Sequence, residues 1–244
     1  MTVEWLNGNE FPLDYGADDI AIIRAVERYT LTGIERISAL IRSVRYIVGN
    51  DIPGDFVECG VWKGGSVMAM ALTLLELQHQ ERGLFLFDTF SGMTDPGDED
   101  VDYLGRRAET IFEDVRHAVS QEEVEAAVFS TGYEPAKIHF VPGAVEETIP
   151  AQAPEKIALL RLDTDWYQST RHELVHLFPR LAPGGVIIVD DYGHWQGARR
   201  AVDEYLAQHE ISLPLEAIDY TGHIGVKGAG AESSNFRSQI VTDL

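Results

Sequence analysis

The chain of 244 residues predicts an α/β fold: a parallel sheet with helices on both faces. Three observations carry this reading. From Asp55 onward, short apolar runs bounded by turn residues alternate with segments of helical spacing. A glycine-rich turn, Gly60 to Ser66, joins the first run to the helix after it. Two acidic islands, Leu162-Asp163-Thr164-Asp165-Trp166 and Val189-Asp190-Asp191-Tyr192, close two later runs. In open α/β sheets the carboxyl ends of the strands form the rim where ligands bind. The turn and both islands therefore fall on one rim.

Taken in order, residues 1–18 are rich in Gly, Asn, Asp and Pro and read as an irregular arm. From Asp19 to about Val48 the spacing is helical, with Ile34, Ile37, Ile41, Val44 and Val48 on one face and Gly33 dividing two helices. This preface, residues 1–50, is expected to pack on the core; covering a site or forming a subunit contact are its other uses. A homo-oligomer is expected on that ground. Asn50 to Gly54 is a break. The main domain, residues 51–228, is expected to hold strands at Asp55–Cys59, Leu84–Asp88, Lys137–Val141, Ile157–Asp163 and Val186–Asp190. Helices are expected at Ser66–Gln78, Glu109–Thr131, Tyr167–Leu181 and Ala198–Gln208. In the first of these, Val67, Met70, Ala71, Leu74 and Leu77 face inward. Residues 92–107 form a Gly-, Pro- and Asp-rich loop, too long for a plain connection. It reads as a lid or as a solvated loop. Residues 229–244 are small and polar and are expected to be mobile.

Composition narrows the function classes. Hydrophobic residues make up 45% and the net charge is −21, with a sequence pI near 4.6. Such a surface repels phosphate backbones and anionic bilayers, so neither a nucleic acid nor a membrane is an expected partner. No apolar run approaches membrane-spanning length, and the start lacks the pattern of a signal peptide. Cys59 is the single cysteine. A reducing cytoplasm is the expected compartment.

The islands pose an electrostatic problem. Two like charges about 5 Å apart at an effective dielectric of about 20 repel by roughly 3 kcal/mol. A cluster of three or four carboxylates needs a proton, a basic partner or a cation. No Lys or Arg lies inside either island, so a hard divalent ion on oxygen ligands is the expected answer. On the same rim, Glu58 ends the first strand and Asp88 ends the second. The glycines fall at 60, 64 and 65, with Trp62 where a dinucleotide fingerprint requires glycine. A carboxylate beside the turn disfavours phosphate. It suits a ligand carrying an ammonium and a sulfonium, with Asp88 placed for ribose hydroxyls. The chain also lacks the Tyr-x-x-x-Lys of nicotinamide-dependent reductases.

The run Gly54-Asp55-Phe56-Val57-Glu58-Cys59-Gly60-Val61-Trp62-Lys63-Gly64-Gly65 resembles the macrocin O-methyltransferase family. The likeness continues through Phe87 to Met93, Leu160 to Thr170, Pro183 to Gly185, Asp190 to Gly193 and Ala201 to Tyr205, over about residues 30–220. The resemblance implies a Rossmann-like class I methyltransferase with a seven-stranded, mostly parallel sheet whose last strand is antiparallel. It implies S-adenosylmethionine as donor and Mg²⁺ on Asp163, Asp190 and Asp191. The cofactor contacts expected are Glu58, Cys59, Gly60, Val61, Gly64, Ser66, Asp88, Thr89, Phe90, Gly143 and Asp163. The acceptor implied is a small hydroxylated molecule, first a sugar hydroxyl of a natural-product glycoside, second a phenol or catechol.

The spacing is also similar to the catechol methyltransferases, which place a lysine base three residues after the first metal ligand. Here that position is Trp166, so Asp163, Asp165 or His194 must take the proton. Thr164 stands where the family commonly has Gly, and Asp219 to Lys227 follows the usual ending only loosely. Both departures bear on the acceptor. Trp62 and Trp166 are candidates for a pocket wall or for core. A non-catalytic cofactor-binding protein of the same fold is the alternative from another class, and an unused carboxylate cluster argues against it.

Overall fold

A computed structural model describes residues 11–12, 15–112 and 118–228. The expectations for the first ten residues, for residues 113–117 within the segment read as helix, and for the tail from residue 229 lie outside these. Two helices, α1 (Ala17–Val26) and α2 (Ile34–Gly49), precede the sheet. Then follow β1 (Asp55–Cys59), α3 (Gly65–Glu76), β2 (Leu84–Asp88), α4 (Gln121–Phe129) and β3 (Ile138–Pro142). After these come α5 (Val145–Thr148), β4 (Ile157–Leu162), α6 (Tyr167–Leu177), β5 (Leu181–Val189) and α7 (Gln196–Gln208). Strands β6 (Glu216–Ala217) and β7 (His223–Val226) end the described fold. The sheet has seven strands in the order β3-β2-β1-β4-β5-β7-β6. Strands β1 to β5 run parallel, and β7 lies antiparallel to both β5 and β6. No helix among the described residues is long and apolar enough to cross a membrane.

Among the described residues, the segment read as helix at 109–131 holds a 3-10 turn at Ala108–Thr110, a helical residue at Phe112 and α4, with non-helical backbone at residues 118–120. Ser120 begins α4 with a capping box, its hydroxyl accepting from the Glu123 amide while the Glu123 carboxylate accepts from the Ser120 amide. Strand β5 begins earlier than its apolar run, because Leu181 already pairs with Ile157.

Strand periodicity sorts side chains between two cores. Phe56, Leu159, Val186 and Ile188 face the α1–α3 layer. Val57, Cys59, Leu160, Ile187 and Val189 face α6 and α7. Glu58, Arg161 and Asp190 have the first parity, so all three chains rise on the α2–α3 side. Glu58 and Arg161 are register partners, and Arg161 pairs with Ile188 across β5. Helix α3 is buried nearly all round, from Gly65 to Ala71, because the preface covers its outer face.

Two glycines permit this packing. Gly60 has φ +82°, and a Cβ there would lie 1.9 Å from the Asp163 carbonyl oxygen. A Cβ at Gly65 would lie 2.5 Å from the Tyr29 carbonyl oxygen. The first close approach seats the end of β4 against the glycine turn. The second seats the preface against the start of α3.

One buried acid lies below the rim. Glu173 on α6 is 0% exposed. Its Oε1 accepts from the Thr164 hydroxyl at 2.9 Å, and its Oε2 has no partner. Burial pushes this carboxyl up to about 8. The folded protein therefore keeps a proton that the unfolded chain loses near 4.5. Stability from this group is full below that pH and falls, by up to about 1.4 kcal/mol per unit, as pH climbs toward 8. Glu173→Gln should flatten the decline in thermal midpoint between about pH 5 and 8 and raise the midpoint at the alkaline end. An unchanged slope in a pH series of melting curves would contradict this.

Candidate active site

A cavity of about 370 Å³ opens over the carboxyl ends of β1, β2, β4 and β5. Of the residues expected to meet a cofactor, Glu58, Gly60, Val61, Ser66, Asp88, Thr89, Gly143 and Asp163 line it. Cys59, Gly64 and Phe90 do not. The Cys59 side chain is fully buried on the opposite face of the sheet, as its parity requires, and only its carbonyl reaches the rim, accepting from the Asp163 amide at 2.9 Å. Phe90 packs toward Phe140, with ring centroids 6.2 Å apart. Trp62 lines the cavity, whereas Trp166 is core, its indole nitrogen donating to the Thr94 carbonyl at 2.8 Å.

The glycine turn is held by Asp88. Its Oδ2 accepts from the Val61 and Trp62 amides at 2.6 and 3.1 Å, and its Oδ1 from the Phe90 amide at 2.8 Å. Beside it Glu58 is 1% exposed, with Oε1 on Arg161 and Oε2 without a partner. An unpaired buried carboxylate oxygen on a cavity wall is an acceptor site for a ligand's donor.

The two islands converge. One carboxylate oxygen from each of Asp163, Asp190 and Asp191 lies within 4.8 Å of the others. No Lys or Arg lies inside either island, but two arginines from outside them serve these acids beside any cation. Arg161 spreads its guanidinium under the cluster. Nη1 donates to Glu58 and, at 2.8 Å, to Asp163 Oδ2; Nη2 donates to Asp190 Oδ1 at 2.5 Å and to the Thr32 hydroxyl at 3.0 Å. Arg36, from α2, bonds Asp190 Oδ2 and approaches Asp219 at 2.9 Å. Both were missed because neither belongs to an island. Arg161 was legible by parity: a charge inside a fully buried strand must meet an opposite charge, and Glu58 is its register partner. Arg36 had no local signal.

Two guanidiniums do not balance five carboxyls: Glu58, Asp163, Asp165, Asp190 and Asp191. Burial works against the Asp190 charge, but Arg161 and Arg36 outweigh it and hold that carboxyl below its ordinary value. Asp163 and Asp191 are pushed well above theirs, by burial and then by their acidic neighbours, with Arg161 opposing at Asp163. Burial also lifts Glu58 to about 7, against the pull of Arg161. The cluster is thus crowded with negative charge that either protons or a cation must relieve.

Asp165 lines the cavity in a left-handed conformation, φ +65°. Its amide donates to Asp191 Oδ2 at 3.2 Å, and its Oδ1 accepts from the Trp195 indole at 2.9 Å. Burial first, with Asp163 and Asp190 adding to it, lifts this carboxyl to about 7. His194 lines the cavity as well; its amide donates to the Asp191 carbonyl at 3.0 Å, and burial lowers its ring's basicity. The loop at 92–107 is largely exposed but anchored by two buried acids. Asp100 and Asp102 are 2% and 0% exposed. Asp100 accepts from the Tyr167 amide at 2.8 Å, capping α6 from a distance, and Asp102 accepts from Arg106.

The chain matches the family Macrocin-O-methyltransferase (TylF) over residues 18–225. It is 35% identical to demethyldecarbamoylnovobiocin O-methyltransferase of Streptomyces niveus over 195 residues, covering 80% of this chain and 74% of that protein. It is also 35% identical, over 194 residues with the same coverage, to 8-demethyl-8-(2,3-dimethoxy-alpha-L-rhamnosyl)-tetracenomycin-C 4'-O-methyltransferase of Streptomyces olivaceus. Among solved structures, the O-methyltransferase NovP superposes with a TM-score of 0.75 at 34% identity, over 82% of this chain and 83% of that one. The calicheamicin methyltransferase CalS11, at 20% identity and a TM-score of 0.63, shares the fold over 90% of this chain and 95% of that one. The seven-stranded sheet, the cavity on its rim and the match over residues 18–225 agree: the chain belongs to the macrocin O-methyltransferase family.

Proposed function

We propose that this O-methyltransferase moves a methyl group from S-adenosylmethionine to a sugar hydroxyl of a natural-product glycoside, with Mg²⁺ held by Asp163, Asp190 and Asp191. The observation that carries the reading is the meeting, in one cavity, of the three gathered acids and the unpartnered Glu58 oxygen. The donor set fits the ion: three carboxylates with a surplus of negative charge suit a hard dication. When bound, the ion polarises the acceptor hydroxyl and lowers its pKa. The sugar acceptor is supported by relatives named for rhamnosyl-tetracenomycin 4'-O- and mycinamicin III 3''-O-methylation, the latter from Micromonospora griseorubida at 33% identity over 80% of this chain and 76% of that protein.

The protein's own residues have separable tasks in this reading. Glu58 Oε2 receives the cofactor ammonium. Asp88 already accepts three backbone bonds, and a carboxylate with about four lone-pair sites retains one for a ribose hydroxyl. Asp165 takes the acceptor's proton: it lines the cavity, is fixed by Trp195, and stands outside the set that holds the ion. Asp163 is engaged by Arg161, and the His194 ring lies against Trp195 and Tyr103. Methyl transfer asks the protein mainly to align the nucleophile and accept its proton.

Calorimetry with S-adenosylmethionine, followed by methyl transfer to an L-rhamnoside, tests the whole. Cofactor binding without turnover on hydroxylated acceptors would favour a non-catalytic binding protein. Asp190→Ala and Asp191→Ala should each abolish Mg²⁺-stimulated turnover and weaken Mg²⁺ binding measured by titration. Full activity of the wild type in chelator would sink the metal assignment. Asp165→Asn should lower kcat by about 10²–10⁴-fold while cofactor affinity stays within a few-fold. A kcat near wild type would remove Asp165 from the proton-accepting role.

A further inference from the structure

Three separate segments meet outside the acid cluster, and each presents an aromatic or imidazole ring. The turn after β5 carries His194, the turn before β7 carries Tyr220, and the acidic loop carries Tyr103. His194 lies 5.4 Å from Tyr103 and 6.0 Å from Tyr220, centroid to centroid, and the two tyrosines are 6.1 Å apart. The Tyr220 hydroxyl reaches His194 Nδ1 at 3.3 Å. Inward, the series continues through Trp195, 4.8 Å from His194, to Trp166 at 5.1 Å.

The tyrosine rings are exposed, yet the backbone that carries them is pinned. Tyr103 and Tyr220 are 54% and 59% exposed, whereas the neighbouring Asp102 and Thr221 are 0% and 4%. Asp102 bridges to Trp195, and its carbonyl accepts from the Gln196 side chain at 2.8 Å. The Thr221 hydroxyl donates to the Asp190 carbonyl at 2.7 Å, and its carbonyl accepts from the Gly193 amide at 2.8 Å. The two exposed rings stand on these fixed supports directly beside His194, which lines the cavity with Trp195. The supports attach directly to Asp190 and Trp195, so the rings begin where the acid cluster ends.

We propose that Tyr103 and Tyr220 form a subsite for a flat, uncharged aromatic aglycone of the acceptor. This rests on the glycoside reading given above and extends it. The sugar carrying the reactive hydroxyl sits over Asp163 and Asp190, and the aglycone leaves the cavity past His194 onto the two rings. The tyrosines meet at 65°, one edge toward the other. They are too close for a third ring to slide between them, which requires about 7 Å for two stacked contacts. The aglycone therefore lies across their outer surface. Two half-exposed tyrosines offer roughly 200 Å², far below the roughly 800 Å² per partner of a stable protein interface. With the exposed Leu104 beside Tyr103 the patch matches one small ring system, and its continuity with the cavity through His194 assigns it to an extension of the acceptor.

The probes are 4-nitrophenyl α-L-rhamnoside and methyl α-L-rhamnoside, titrated into the protein saturated with S-adenosylhomocysteine and Mg²⁺. The wild type should bind the aryl glycoside about tenfold tighter. Tyr103→Ala and Tyr220→Ala should each cut that preference to about threefold and together remove it, leaving methyl rhamnoside affinity unchanged. Equal affinity for the two probes, binding of neither, or a full preference in the double variant overturns the subsite. So does a shift in oligomeric state of the double variant on light scattering, which would assign the rings to self-association. Methyl transfer to the same probes reports on the function separately. Turnover without aryl preference removes the subsite alone; aryl preference without turnover removes the glycoside methylation reading.

Discussion

Arg161 places a guanidinium inside β4, a strand buried along its whole length, and the rim of the sheet is organised around it. Its bonds tie the end of β1 through Glu58, the end of β4 through Asp163, the end of β5 through Asp190, and the preface through Thr32. Burying one unpaired charge is prohibitive, and breaking a buried pair by removing one partner costs about 3–5 kcal/mol. The guanidinium is tolerated only because acids surround it, and the acids come together only because it lies beneath them. Neither side of this arrangement is stable without the other. Strand register does the placing, since Glu58 and Arg161 are direct partners across the β1–β4 ladder.

That constraint explains why so many acidic groups crowd one cavity. Five carboxyls over two guanidiniums leave a deficit that the fold itself does not fill. The arginines hold Asp190 charged, while Asp163 and Asp191 are driven toward protonation by burial and by their acidic neighbours. Protein groups supply enough positive charge to assemble the cluster and too little to neutralise it. Either protons on these carboxyls or a cation must make up the difference.

Much of this was legible in the sequence, and the parts that were not have a common physical reason. Strands β1 and β2 read correctly to their end residues because turn residues bound their apolar runs sharply. The acidic islands stood out because carboxylates rarely follow buried strands without a purpose. Strand β6 is two residues long and left no periodic signal, so the last strands came only from family resemblance. In the site, the sequence showed which acids line up but not what lies beneath them. Arg161 sat in plain view one residue upstream of the first island, and only parity separates it from Leu160 and Leu162. The same parity turns the Cys59 side chain away from the cavity. Arg36 depends on a helix folding back over the strand ends, a long-range event that no local pattern encodes.

The preface is therefore part of the cavity wall as well as a cover for α3. Its helix α2 supplies Arg36, and the segment before that helix supplies Tyr29, Leu31 and Thr32 to the cavity wall. Gly65 makes this possible, since any side chain there would collide with the Tyr29 carbonyl. One arginine of the pair thus comes from within the sheet and the other from outside it. Asp190 receives both, one on each oxygen, and in doing so joins the preface to the acid cluster. Displacing α2 would take away half of the positive charge that assembles the cluster. Docking of the N-terminal helices and the electrostatics of the site are, by this geometry, a single equilibrium.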